Sequence, residues 1–156
     1  MTVLTAYVSF QALFPLRHFL YPGDVLWNEE GMRFAWKVML REKHGSVTYH
    51  VRFADGRTLQ VSPRHYLSSR QEREMSAQPD LMLQLAHRIA DDFSARAGAP
   101  VQVRAETLVS LNGRVPAPLI DPDVDVAQID DGVLPGSWIL PAPTTPPRHV
   151  RALAKR

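Results

Sequence analysis

Residues 47–53 constrain the fold most. Val47, Tyr49, Val51 and Phe53 alternate with Thr48, His50 and Arg52, and side chains two apart share one face of a strand. One apolar and one polar face describe a half-buried antiparallel strand. Asp55-Gly56 follows, a type I′ hairpin signal, and the chain returns with Leu59 and Val61 inward. Upstream, Phe34, Trp36, Val38 and Leu40 fall on one side and Lys37 and Arg41 on the other. Residues 34–62 are therefore predicted as a three-stranded antiparallel meander with a turn at 42–46.

Downstream the period changes. Pro79-Asp80 suits a helix start, because proline tolerates the first turn and an acid complements the positive helix end. Met82, Leu85, Ala86, Ile89 and Phe93 then share one face at helical spacing, and Gly98 is the expected stop. Val101, Val103, Ala105, Thr107, Val109 and Leu111 restore period two. Asn112-Gly113 marks another turn, and Pro116 and Pro118 confine the return to an edge or an extended segment. Ser137–Leu140 could add a short edge strand. The predicted class is α+β: a mainly antiparallel sheet of about five strands packed with one long helix, 79–97.

The opening differs in kind. Residues 1–16 carry no charge, are shorter than the roughly 20 apolar residues a membrane span needs, and lack a signal peptide's basic start and cleavage site. They read either as a buried core element or as the end of a transmembrane helix, with Arg17, His18 and Tyr21 at the interface. Residues 17–140 read as an extramembrane β-rich domain. Residues 141–156 are proline-rich, then basic, and read as a disordered tail. The whole chain of 156 residues is long enough to bury a core without staples. It has no cysteine, which excludes disulfides and thiolate chemistry. A net charge of +2 does not point to nucleic acid.

Chemical motifs are sparse. There is no phosphate-binding loop, dinucleotide fingerprint or nucleophile elbow. Asp121, Asp123 and Asp125 open like a calcium loop, but Val126 stands where glycine is needed and Gly132 where a bidentate glutamate is needed; turn capping is the expected role. No two histidines have metal-ligand spacing, so no metal is expected. His50 and His87 read as solvated, and Glu29-Glu30 as a turn with some potential for acid catalysis. Trp36, on the apolar side of its strand, reads as core.

Three stretches carry a family resemblance. His18-Phe19-Leu20, Gly23, Trp27 and Trp36 form the first. Ser110-Leu111-Asn112 with Ile120-Asp121-Pro122 and Val124-Asp125 form the second. Pro79 to Ala86 forms the third. In order and spacing, residues 13 to about 128 resemble the lumenal domain of vitamin K-dependent gamma-carboxylases and of their bacterial relatives with horizontally transferred transmembrane (HTTM) domains. The resemblance implies a membrane protein with this domain on the extracytoplasmic side. It implies a carbon–carbon lyase-type activity, in which reduced vitamin K, oxygen and carbon dioxide convert peptide glutamate to gamma-carboxyglutamate. The family's catalytic lysine and quinol pocket lie in a membrane portion that matches nothing here. No catalytic residue is therefore assigned, the domain itself is expected to bind no cofactor, and it is expected to be inactive alone.

The implied partners are the membrane, upstream transmembrane helices and a peptide substrate, with no nucleic acid. His18, Trp27 and Asn28 are the candidates for lining a substrate entrance. For Trp27 an interfacial anchor is an equal alternative, and for His18 a helix cap or interfacial residue. Asp24 stands where the animal enzymes carry polar residues implicated in handling glutamate, and a nearby aspartate opposes a carboxylate substrate. The alternative function is a non-enzymatic extracytoplasmic domain that binds a peptide or protein by strand addition.

Overall fold

A computed structural model of the chain describes residues 2–37, 39–132 and 136–147. It is an α+β fold built on a three-stranded antiparallel sheet. The elements in order are helix α1 (Thr2–Leu13), a 3-10 helix (Phe14–Leu20), helix α2 (Val25–Asn28), strands β1 (Lys43–Arg52) and β2 (Thr58–Val61), a 3-10 turn (Pro63–His65), helices α3 (Ser69–Met75) and α4 (Pro79–Ala97), strand β3 (Gln102–Leu111), and a last 3-10 turn (Val126–Gln128).

The alternation at 47–53 lies on β1, the central strand, with sheet order β2-β1-β3. Tyr49 pairs with Val61 on one side and Ala105 on the other. The inward residues of β1 and β3 pack on α4. Tyr49, Val51, Met82, Ala86, Ile89, Val103 and Val109 are fully buried there, and burial of such side chains contributes about 1.5–3 kcal/mol each. Two polar side chains inside are satisfied. The Tyr49 hydroxyl donates to the Met82 carbonyl at 2.8 Å. The Thr107 hydroxyl oxygen accepts from the Leu119 and Ile120 amides, both at 3.0 Å. Burial of this kind holds the Tyr49 phenol well above the usual tyrosine range.

Helix α4 is 19 residues long, begins with Pro79 and ends on Gly98 at φ +67. Helix is nevertheless spread over four α elements among the described residues, not concentrated in one. The sheet has three strands where about five were expected. The return past Asn112-Gly113 makes a single bridge, Ala117 to Val109, and the segment near 137–140 a single bridge, Ile139 to Ile120. Pro116 and Pro118 have no amide hydrogen to extend the first of these. The hairpin at Asp55-Gly56 forms without a type I′ turn. Gly56 alone has positive φ, and the Gly56 amide donates to Phe53, the pattern of a type I turn closed by a left-handed glycine.

The largest departure is at 34–41, which is irregular instead of a strand. Phe34 has φ +66 and Met39 φ +58, left-handed backbone that breaks an extended run. Turns closed by the Met32 and Ala35 amides replace the ladder. The place beside β1 that a meander would have given to 34–41 is taken by β3, which pairs along all of β1. Val38 lies outside the described residues. The turn expected at 42–46 is instead the start of β1. Gly45 fits there because a Cβ would collide with the Ser76 carbonyl oxygen, a close backbone approach of the kind that selects glycine within strands.

Helix α1, Thr2–Leu13, has no buried residue, whereas Pro15 just after it is buried. No described helix is long and apolar enough to cross a membrane, so a transmembrane helix is not among the described residues. The expected disordered tail, 141–156, is described only as far as residue 147, without regular secondary structure; its basic end lies outside the described residues.

Candidate functional site

The stretch 18–36 is pulled apart by the fold. Its first half turns inward. Asp24 caps α2 by accepting the Leu26 amide at 2.9 Å, and Glu29 ends that turn in left-handed backbone at φ 62. Gly31, at φ +67, lies so close to His18 that a Cβ would come within 2.9 Å of the His18 Cα and of the Tyr21 ring. Only glycine meets both demands.

Trp27 lies on α2 and is 1% exposed, within the main core. Its indole Nε1 donates to the Leu140 carbonyl at 2.8 Å, which ties the first half of the stretch to the end of the domain. Its side chain is enclosed within the domain. Trp36, read as core from its strand pattern, is 73% exposed. The two tryptophans thus occupy opposite environments from those their local sequence suggests.

A buried cation joins the parts. Lys43, the first residue of β1, points inward. Its ammonium donates to the Trp27 carbonyl at 2.6 Å, the Ala77 carbonyl at 2.6 Å and the Glu29 carboxylate at 3.0 Å. Arg41 also pairs with Glu29. Burial holds Lys43 below the ordinary lysine range, against the opposing pull of Glu29. All three ammonium hydrogens have an acceptor, the condition under which a buried charge is tolerated.

Next to this cluster lies an open cleft of about 480 Å³, within the range of small-ligand and side-chain sites. Asn28, Glu29, Glu30, Arg17, Arg33 and Asp80 carry its polar lining, and Phe14, Tyr21 and Trp138 are part of its apolar lining. Glu30 is fixed on both oxygens, by the Gly136 amide at 2.6 Å and the Asn28 side-chain amide at 2.9 Å. Asn28 also donates to the Pro22 carbonyl at 2.9 Å. Arg33 pairs with Asp80. Asp130 and Asp131 add further carboxylates to the lining, which opposes an anionic ligand on that side. Asp24, occupied as a cap, is not part of this wall.

Of the three candidate residues, the cleft is lined by Asn28, not by His18 or Trp27. His18 is buried. Its Nδ1 lies 2.9 Å from the Pro15 carbonyl, which can only accept, so Nδ1 carries the proton. Its buried Nε2 has no hydrogen-bond partner among the described residues. Glu29 and Glu30 are both engaged in the hydrogen bonds just given. The arrangement can bind and orient a ligand. Among the described residues, no group of three or more His, Asp or Glu side chains is placed to hold a metal ion. The aspartate run 121–125 caps turns: Asp121 accepts the Asp123 amide, and Asp125 the Ala127 and Val103 amides. His87 is not simply solvated, since its Nε2 meets the Ile129 carbonyl at 2.8 Å. His50, on the outer sheet face, pairs with Glu106 at 3.2 Å.

Lys43 was not singled out from the sequence, although the signal existed. Period two carried back from Tyr49 through Val47 and Gly45 reaches Lys43 on the buried face.

No curated protein and no solved structure matches the chain. The family model for the vitamin K-dependent gamma-carboxylase lumenal domain matches residues 1–145, nearly the whole of the fold described above, and the chain belongs to that family.

Proposed function

We propose that this domain helps present a substrate to quinol-driven glutamate carboxylation carried out in a separate membrane portion, and that it is inactive alone. Family membership puts the domain on the non-cytoplasmic side of a membrane protein. The observation that carries the finer reading is the position of the cleft. Phe14 and Arg17, from the 3-10 helix that follows α1, form part of the same lining as Asn28 and Glu30. A ligand held there is held beside the apolar N-terminal segment, which we read as the membrane-proximal end of a helix. The chemistry of base formation, proton removal and carbon dioxide capture belongs to reduced vitamin K, oxygen and the membrane portion. The contribution of this chain is to bind and orient, which converts a bimolecular encounter into a positioned one.

The test is incorporation of radiolabelled bicarbonate into a glutamate-containing peptide, with reduced vitamin K and oxygen supplied. The chain alone should give no label, and the chain reconstituted with the family's membrane portion in nanodiscs should give label above that of the membrane portion alone. Equal labelling with and without the domain contradicts the reading.

A second reading has its own observation. The outer sheet face forms an open groove of about 660 Å³ that includes His50, Arg52, Arg104 and Thr58. The Arg104 Nε in it is buried without a partner among the described residues, and β2 borders it. A non-enzymatic domain that binds an extended acidic peptide along β2 would use this groove. Peptide binding that is lost in Arg104→Met and unaffected by changes in the cleft would favour this second reading.

A further inference from the structure

Four apolar side chains between residues 34 and 40 are turned away from the core. Phe34, Trp36, Met39 and Leu40 are exposed at 75%, 73%, 97% and 56%. The backbone enforces this. Positive φ at Phe34 and Met39 is strained for bulky residues and persists only where the surroundings impose it. The loop is also continuous with the apolar N-terminal segment. The Phe10 ring lies 5.0 Å from Phe14, and Phe14 lies 5.8 Å from Phe34. Arg17 stands 4.4 Å over Phe14 and 5.9 Å from Phe34, and donates to the Arg33 carbonyl at 2.8 Å. Phe19 and Leu20, at the end of the 3-10 helix, are exposed as well.

Charge identifies the occupant. Residues 31–41 contain Arg33, Lys37 and Arg41 and no acid. Arg33 pairs with Asp80 and Arg41 with Glu29, while Arg17 and Lys37 remain beside the exposed apolar side chains, and basic side chains next to aromatic and aliphatic ones suit the boundary between acyl chains and phosphate headgroups. The loop offers its own side chains outward, as an inserting surface does.

We propose that residues 34–37 and 39–40 form a second membrane contact. Trp36, Met39 and Leu40 enter the interface of a bilayer, and Arg17 and Lys37 face the headgroup phosphates. The proposal rests on the reading of this domain as bordering a membrane and adds which face of it does so: the loop, side by side with α1.

The chain supplies its own probe. It has three tryptophans. Trp27 and Trp138 are 1% and 8% exposed, which leaves Trp36 to report on solvent. The full chain is mixed with phosphatidylcholine–phosphatidylserine vesicles, with plain or brominated acyl chains, and vesicle cosedimentation is measured in parallel. Expected are a blue shift of tryptophan emission on binding and quenching by the brominated chains. Both should be lost in Trp36→Phe while cosedimentation persists. Met39→Asp combined with Leu40→Asp should weaken partitioning by about tenfold or more, with an unchanged circular dichroism spectrum because both residues are exposed. Cosedimentation without any change in Trp36 emission overturns the proposal and assigns the contact to α1 alone. A blue shift that follows protein concentration without vesicles also overturns it, in favour of a second copy covering the loop. Absence of cosedimentation overturns it too. None of these results reads carboxylation, which the radiolabel assay decides separately.

Discussion

Trp27 and Trp36 stand on either side of Gly31 in one short stretch, yet one is among the most buried residues of the domain and the other among the exposed large apolar ones. The difference lies in what the backbone around each can bond to. Trp27 sits in a capped helical turn whose carbonyl meets Lys43 and whose indole meets Leu140. Trp36 follows a left-handed Phe34 in a loop that makes turns and no ladder. Burial here follows anchoring by polar bonds more than side-chain hydrophobicity. The first half of the stretch is fastened into the domain, and the second half is presented to its surroundings.

The largest effect that can break this comparison is expected at Lys43. Lys43→Met removes one partner of a buried ion pair and leaves two carbonyls without a donor, which costs about 3–5 kcal/mol. Denaturant unfolding measures it; a loss below about 1 kcal/mol would mean that Lys43 does not fasten the two halves. Trp27→Ala should be of similar size, about 3–5 kcal/mol from lost burial, with the Leu140 hydrogen bond lost as well. The same measurement on Trp36→Ala should move stability by no more than about 0.5 kcal/mol, and equal losses at the two positions would end the distinction.

A smaller effect concerns pH. Burial first, and then its hydrogen bond to Asp92, push the Tyr66 phenol up to about 12 from 10.0. The fold therefore favours the neutral phenol. That contribution is fully present below the unfolded value and is lost as pH rises through the folded one. Thermal unfolding midpoints followed from pH 10.0 to about 12 should fall more steeply for the parent than for Tyr66→Phe. Tyr49, raised in the same direction, keeps part of the alkaline loss in the variant. Lys43, lowered by burial, acts oppositely, with stability gained as pH rises toward the unfolded lysine value. The difference between parent and Tyr66→Phe isolates Tyr66; parallel curves would contradict its assignment.

The parts of the fold legible in the sequence are those where one residue pattern has one structural meaning. Period two at 47–53 and 101–111 becomes β1 and β3, and the spacing of Met82, Leu85, Ala86 and Ile89 becomes the face of α4 that packs on them. The pattern at 34–41 has two meanings. Alternating aromatics and cations fit a half-buried strand and also a loop that shows its aromatics to an apolar medium. Phe34 and Met39 give no local hint of positive φ, as glycine or asparagine would. The cleft was legible only at Asn28, Glu29 and Glu30, because it is assembled from segments far apart in sequence. Gly136 and Asp80 meet Glu30 and Arg33 only after α4 and the C-terminal segment are in place. Lys43 was legible by extending an alternation, but a polar run that ends in Gly45-Ser46 reads first as a turn.

The central claim is that the stretch 18–36 ends in a surface facing lipid. The chain has no cysteine, so Trp36→Cys gives this chain a single thiol for a nitroxide label, and the labelled chain is bound to phosphatidylcholine–phosphatidylserine vesicles. The measurement is the label's collision rate with oxygen, which concentrates in lipid, against that with a water-soluble nickel chelate. The account expects oxygen to dominate at position 36, with the reverse at a label placed at the exposed Asp55. Nickel dominating at both positions would contradict it.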